Sequence, residues 1–347
     1  MSLNKNNAEE KVVRVRSDES GLIEVDCPLC GSNRSKKLFD VKDWTLHCDD
    51  RVFSLRRCSE CGCGYLSPRP PENEMSLYYP PRFYWSYEGV SREIDWPAIV
   101  QNRSRQLKSK AAWLKDLPPG RLLDIGAMKG EFLWFMQQKG WVVEGVELDN
   151  NVPNPAKMPI HYGDFLKMDF SQNYYDVITF WAVLEHVYHP VPFIEYASRL
   201  LKPGGRLVVL VTNLNSVQAR FYRADDYPRH LTVFTASSAK AMCKKNGLRI
   251  ERISTDQNIF GGALNGGLLY AFKHACGSDT EALFNEWKQP EDKHLFWVKW
   301  KGRPSELIRT VSRIDKALSL PFEYVLDRFG LGFNMTFSAV KVMTVTS

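Results

Sequence analysis

An α/β fold around a mostly parallel sheet follows from three observations on this 347-residue chain. Strand-like apolar runs alternate with stretches of helical periodicity; one of those runs breaks into a glycine-punctuated loop and a helix, LLDIGAMKGEF (122–132); and two C-x-x-C-G turns stand ahead of the pattern in a segment of their own. The length allows one large domain or two, with apolar content enough for a core. Forty-six basic residues against 40 acidic give a net charge of +6, too mild to argue for nucleic acid or a membrane surface. The N-terminal MSLNKNNAEEKVVRVRSDES lacks an apolar signal core, and no later window approaches a membrane span, so the expected protein is soluble and cytoplasmic.

Residues 1–20, charged and poor in large apolar groups, read as a disordered tail. The next stretch, 21–75, holds six of the eight cysteines. CPLCG (27–31) and CSECG (58–62) set thiolates two residues apart, so each pair can converge on one ion, and the trailing glycine takes the positive φ that completes the turn. Cys27, Cys30, Cys58 and Cys61 then form a closed four-sulfur site suited to structural Zn(2+). Disulfides are the competing reading, disfavoured because nothing points to an oxidising compartment. Cys48 and Cys63 stay outside the set, Cys63 being poorly spaced from Cys61. The prolines of SPRPPENE (67–74) end the module. Residues 76–117 carry the aromatic stretch LYYPPRFYWSY and a helix over 95–116. There Tyr78, Tyr79, Phe83, Tyr84 and Trp85 either close over a ligand or, as preferred, pack the module on the main domain.

The core, 118–261, opens with strand RLLDI (121–125), followed by WVVEGVE (141–147), DVITFWA (176–182) and GRLVVLVT (205–212). Helices fill the gaps, in GEFLWFMQQKG and in VPFIEYASRLLKPGG, the second stopped by Gly204 and Gly205. Right-handed crossovers of this kind imply parallel strands. After a helix at 236–246 come the strand LRIERIST and, in 331–347, a last core strand within NMTFSAVKVMTV. The intervening 262–330 is too long for a simple connection and is expected to form a helical insertion or lid over the ligand edge.

The loop at 122–132 admits few occupants. A dinucleotide fingerprint needs glycine at 128 and 131, where Met128 and Glu131 stand, and a carboxylate at the helix start would repel a pyrophosphate. No Lys-Ser/Thr pair follows for a P-loop. What remains is Asp124 at the strand end, then Gly126 and Gly130, an arrangement suited to a ligand whose nearest charge is positive. This pattern resembles the first motif of the class I S-adenosylmethionine-dependent methyltransferases, with Met128 departing from the central glycine, which requires either that a side chain be tolerated at that φ or that the loop be displaced. The resemblance covers about 118–257 and includes Glu147, HYGDF (161–165), DVITFWAVLEHVYHP and LLKPGGRLVVLV. It implies a Rossmann-like, mostly parallel seven-stranded sheet, which follows the N-terminal zinc-ribbon-like module read from the cysteine spacing. It also implies S-adenosyl-L-methionine as cofactor, held by Asp124, Gly126 and Gly130, by Glu147 on the ribose hydroxyls, and by Asp164 and Phe165 at the adenine edge. Taken singly, Asp124 reads as a helix cap, Glu147 as a solvated strand end and Asp164 as a turn residue.

Methyl transfer to a hydroxyl needs an oriented nucleophile and a proton acceptor. His186, just beyond the strand DVITFWA, and His230, in the loop after GRLVVLVT, are the catalytic candidates, with a structural role for His186 weighed equally. Arg229 is offered as a partner for an anionic substrate group, while His189 and His161 are assigned to a turn and a strand end. A two-knuckle module, an aromatic linker and this domain together resemble bacterial methyltransferases of sugar and cell-envelope glycan biosynthesis, sugar C-methyltransferases included. Those usually carry a further C-terminal domain that this chain is too short to contain, so their substrate is not carried over. The acceptor is expected to be a small molecule, a sugar hydroxyl by preference over carbon, and nucleic acid is not expected. Competing readings are a catalytically inactive binding protein and a nicotinamide oxidoreductase. In the insertion, Leu307, Ile308, Val311, Ile314 and Leu318 share a helical face near the basic, tryptophan-rich HLFWVKWKGR. A peripheral membrane contact is one reading, and an ordinary lid or dimer helix the preferred one.

Overall fold

The computed structural model describes residues 16–17, 21–43, 46, 48–79, 96–217, 219–220, 225–255, 259, 314, 317–318 and 321–342. Phe83, Tyr84, Trp85, Leu307, Ile308, Val311 and the HLFWVKWKGR stretch lie outside them, as do most of 1–20 and 262–313. After a two-residue pairing of Arg16–Ser17 with Ile23–Glu24, the cysteine module's sheet is built from β1 (Ser35–Val41), β2 (Phe53–Cys58) and β3 (Gly64–Leu66). Helices α1 (Trp96–Asn102) and α2 (Ser104–Ala111) lead into β4 (Arg121–Ile125), α3 (Glu131–Gln137), β5 (Val142–Glu147), β6 (Ile160–Tyr162) and β7 (Tyr175–Trp181). Then follow α4 (Pro190–Leu200), β8 (Leu201–Thr212), β9 (Thr232–Val233), α5 (Ala236–Lys245), β10 (Leu248–Ser254) and β11 (Asn334–Lys341).

The main sheet is seven-stranded, in the order β10-β11-β8-β7-β4-β5-β6, with β11 antiparallel to both neighbours and the pairings among β4 to β8 parallel. Its central strands are continuous apolar runs because helices cover both faces: Leu122, Leu123, Val177, Ile178, Phe180, Val208 and Val209 are fully buried. The chain leaves β4 toward β5 and β6, then returns to place β7 on the other side. That reversal opens a crevice at the carboxyl ends of β4 and β7, where doubly wound sheets take ligands.

Two predicted helices end differently. The helix expected over 95–116 is broken by a turn at Arg103, between the weak helix formers Asn102 and Ser104, although the Arg103 N–H still donates to the Ile99 carbonyl at 3.0 Å; its side chain forms an ion pair with Glu131 at 3.3 Å. Helix α4 stops at Leu200, short of the two glycines, because Pro203 disfavours helical backbone for Lys202 and Leu201 is already extended and paired with Tyr175. Gly204, at φ +76°, lies in the irregular start of β8.

The cysteine module is fused to the core. Its sheet has the order β9-β3-β2-β1, so Thr232–Val233 of the core completes it. Cys27, Cys58, Cys63 and Tyr65 share one apolar cluster with Phe234, Ala239 and Met242 of the α5 region. The Tyr188 hydroxyl donates to the Pro70 carbonyl, and the Arg69 guanidinium lies 4.3 Å over the Tyr188 ring. Among the described residues no helix is long and apolar enough to cross a membrane. Ile314 and Leu318 of the predicted amphipathic face are exposed, as are Phe322, Tyr324 and Phe329.

Candidate active site and cysteine cluster

The loop after β4 is built by three left-handed residues in five, 126–130. Gly126 lies at φ +75°, Met128 at +50° and Gly130 at +82°. A Cβ at Gly126 would meet Val183 Cγ2 at 2.5 Å, and one at Gly130 would meet Met158 Cγ at 2.9 Å, so both positions exclude side chains. Met128 keeps the glycine-like conformation while carrying a side chain. Its strain, about 1–2 kcal/mol for a non-glycine residue, is offset by an aimed N–H that donates to Glu147 Oε2 at 2.9 Å.

Glu147 ends β5 and is buried. Its Oε1 accepts from the backbone N–H groups of Leu148 (2.8 Å) and Asp149 (3.3 Å), and burial pushes its carboxyl above the usual range. It is therefore a bracket for the glycine loop, with acceptor capacity beyond these bonds. Asp124 lies one strand over, accepting from Thr179 Oγ1 at 2.5 Å. Burial raises its carboxyl to about 7, opposed by the charge of Lys110. That lysine reaches in from α2, with Nζ 5.2 Å from the Trp181 ring centroid and 5.7 Å from that of Phe132, and burial lowers it to about 8. So a cation faces Asp124, supplied by an element that no motif marks.

Asp164 follows β6, held beside Glu147 by the Gly163 N–H donating to the Glu147 carbonyl at 2.8 Å. Its Oδ1 caps the short helix Phe165–Lys167 through Leu166 N–H at 3.0 Å, and it pairs with Lys167 at 3.3 Å. Phe165 is buried in an aromatic cluster with Phe180, Phe193 and Tyr196.

His186 and His230 come together, their ring centroids 4.5 Å apart. The backbone explains the meeting: the Glu185 carbonyl accepts from Leu231 N–H (2.7 Å) and Thr232 N–H (3.2 Å), which lays the segment entering β9 against the turn after β7. The turn itself is fixed by His186 N–H donating to the Val183 carbonyl at 3.0 Å, and Val183 is the side chain seated on Gly126. Thus the histidines and the glycine loop share one edge. Tyr79, from the module's end, places its hydroxyl 3.0 Å from His186 Nδ1, and Asp225 Oδ1 lies 2.6 Å from His230 Nδ1. Burial, then the charge of His230, lowers His186 to about 3. For His230, burial is outweighed by Asp225, which leaves it raised to about 9. Glu185 is 1 % exposed, burial lifts its carboxyl to about 7, and its Oε2 has no hydrogen-bond partner among the described residues.

Arg229 does not face the acceptor end. It is 0 % exposed, paired with Asp226 at 2.6 Å and with Asp43 of the module at 2.9 Å, and it donates to the Tyr78 carbonyl. Its charge is spent joining module to core, which corrects its assignment to an anionic substrate group. His189 precedes α4 as expected of a turn residue, and His161 lies in β6, 3.2 Å from Glu144. Tyr79, Asp225, Glu185 and Lys110 are the site groups the motifs omit. A carboxylate beside each histidine, in LEH and RADDYPRH, was the one available signal.

Cys27, Cys30, Cys58 and Cys61 present sulfurs that all lie within 4.8 Å of one another, with Cys27–Cys61 and Cys30–Cys58 at 3.5 Å. Each knuckle is closed by its glycine, Gly31 N–H to the Cys27 carbonyl (2.8 Å) and Gly62 N–H to the Cys58 carbonyl (3.2 Å), at φ +73° and +77°. The described cysteines are free of disulfides. Cys63, fully buried, adds a fifth sulfur 3.3 Å from Cys27.

Residues 98–253 match a family model described as a methyltransferase domain. A ubiquinone biosynthesis O-methyltransferase of Saccharophagus degradans is 31% identical over 105 residues, which are 27% of this chain and 44% of that protein. Its counterpart in Aeromonas salmonicida is 26% identical over 117 residues, 30% of this chain and 49% of that one. The chain spans about half the length of these curated relatives. A SAM dependent methyltransferase structure from Archaeoglobus fulgidus aligns at 17% identity with a TM-score of 0.41, covering 71% of this chain and 100% of the other.

Proposed function

We propose, from the match of residues 98–253 to a methyltransferase-domain model, that the protein transfers a methyl group from S-adenosyl-L-methionine to a hydroxyl of a small polar acceptor. The observation that carries this reading is the shared sheet edge: Val183 rests on Gly126 while its carbonyl fixes His186, so cofactor loop and histidine pair are built by one turn. When bound, the cofactor supplies a methyl group activated by a sulfonium. Asp124 offers a carboxylate to its positive charge, Gly126 and Gly130 allow its close approach, Glu147 has acceptor capacity for its ribose, and Asp164 with the Phe165 backbone flanks its adenine. His186, kept neutral by its lowered pKa, takes the hydroxyl proton, while His230, held protonated by Asp225, orients the acceptor, as the methyl–oxygen bond forms and the methyl–sulfur bond breaks.

A sugar hydroxyl of a nucleotide- or lipid-linked intermediate is the preferred acceptor. The two-knuckle module ahead of this domain supports it, and the names of the O-methyltransferase relatives favour oxygen over carbon. The four cysteines fit a structural Zn(2+): a tetrahedron with bonds of about 2.3 Å has sulfurs about 3.8 Å apart, against 3.5 Å for the two close pairs here. Calorimetry with S-adenosylhomocysteine tests the cofactor, and absence of binding removes the reading. His186→Ala is expected to lower turnover by about 10²–10⁴-fold with cofactor affinity kept. Wild-type turnover takes His186 out of the mechanism.

A further inference from the structure

We infer that Glu185, His186 and His230 form a second metal site, for a divalent ion of the Zn(2+), Fe(2+), Mn(2+) or Co(2+) class, separate from the four-cysteine cluster. Each residue offers a ligand atom, and these atoms lie within 4.8 Å of one another. The spacing alone would carry little, but the surroundings are those of a prepared site. Both imidazoles are held from outside at Nδ1: His230 by Asp225 at 2.6 Å, and His186 by the Tyr79 hydroxyl at 3.0 Å. Carboxylate and hydroxyl partners of this kind fix the tautomer and orientation of metal-bound histidines. Within 4.8 Å of both rings' ligand atoms lies Glu185, 1 % exposed, with Oε2 lacking any partner among the described residues. A buried carboxylate oxygen without a donor is costly, and an ion shared with two imidazoles satisfies it. Side-chain shifts of about 1 Å bring three ligands to the roughly 2.0–2.2 Å bonds of such ions.

The donor set selects the metal. Two imidazoles and one carboxylate suit borderline transition ions better than Mg(2+) or Ca(2+), which take oxygen ligands, or Cu(I), which takes sulfur. Three protein ligands leave coordination positions open, unlike the closed four-sulfur cluster. The acceptor would occupy one of them. This role rests on the methyl-transfer reading and deepens it: the histidines act on the acceptor through the ion, which lowers the pKa of a bound hydroxyl. The proton passes to solvent water, the oxygen bonds to the methyl carbon, and the methyl–sulfur bond breaks.

The metal count is measurable with no turnover. Full-length protein equilibrated with Co(2+) is expected to hold two ions per chain by elemental analysis, the four-cysteine site giving intense sulfur-to-cobalt charge-transfer absorption and the second site only weak visible bands. Glu185→Gln and His230→Gln are expected to hold one, with the charge-transfer bands kept as proof that the chain is folded. Asp225→Asn is expected to weaken the second ion about 10–100-fold. One ion per chain in the wild type overturns the proposal, as does a second ion that survives both ligand substitutions. If S-adenosylhomocysteine fails to bind while two ions are counted, the methyl-transfer reading falls and the metal site stands.

Discussion

The chain makes left-handed turns at its cysteine knuckles and again in the loop after β4, and it fills them differently. The knuckles use glycine at both positions, Gly31 and Gly62. The loop uses glycine at 126 and 130 but methionine at 128, with φ still positive. Sterics sort the loop positions: a Cβ at Gly126 or Gly130 would strike Val183 or Met158 within 3 Å, whereas the Met128 backbone accepts one for the cost of its φ. A positive φ alone therefore does not make glycine obligatory; a neighbour over the missing Cβ does. The two regions also rely on different forces. The loop is held by packing and by Glu147, the knuckles, on the proposed reading, by four sulfurs around an ion.

Withdrawing that ion should have the largest effect. Structural zinc supplies about 10–16 kcal/mol in small sites, comparable to the whole stability of a domain, about 5–15 kcal/mol. Because β9 belongs to the module's sheet and directly follows His230, chelation is expected to unfold the module and displace the histidine pair together. Circular dichroism with elemental analysis checks this. A chelated, zinc-free chain that melts as the wild type does would make the knuckles as self-sufficient as the loop.

The loop side responds to pH. Burial raises Asp124 to about 7 against the opposing charge of Lys110, with Glu131 and Glu147 adding to the rise. A raised carboxyl contributes most to stability when protonated, below its unfolded value near 4, and that contribution fades as pH climbs through about 7. A cationic cofactor needs the ionised form, and Lys110, lowered to about 8, gives up its competing charge in the same direction. Affinity for the cofactor is thus expected to rise about tenfold from pH 6 to pH 8. In Asp124→Asn this slope should vanish and affinity should be low throughout. An unchanged slope by calorimetry would mean that Asp124 does not meet the cofactor's charge.

The strands and knuckles were legible because each is written locally: RLLDI and GRLVVLVT are apolar runs, and C-x-x-C-G specifies its own turn. The site was legible in part. His186 and His230 could each be named from position at the ligand edge, but their meeting depends on the Glu185 carbonyl bonding Leu231 and Thr232, a register no local pattern encodes. Arg229 shows the same limit from the other side. It stands beside a catalytic candidate in sequence, yet Asp43, far upstream, claims its charge. Lys110 reaches Asp124 from a helix whose spacing says nothing of the sheet it covers.

Met128 offers the smallest and most discriminating test. Met128→Gly relieves left-handed strain of about 1–2 kcal/mol but adds backbone freedom to the unfolded chain, worth about 0.4–1 kcal/mol in the opposite sense. The net change should be a gain in stability of between about 0 and 1.6 kcal/mol. The N–H of residue 128 still donates to Glu147 in the variant, so the bracket on the loop survives and cofactor affinity should change less than about threefold, under 0.7 kcal/mol. Gly126→Ala is the contrasting substitution: its Cβ would sit 2.5 Å from Val183 Cγ2 and push on the turn that carries His186. Turnover should fall in Gly126→Ala and hold in Met128→Gly. If Met128→Gly instead shifts affinity tenfold or more, the methionine side chain itself shapes the cofactor site, and its presence is a choice of fit as well as a tolerated strain.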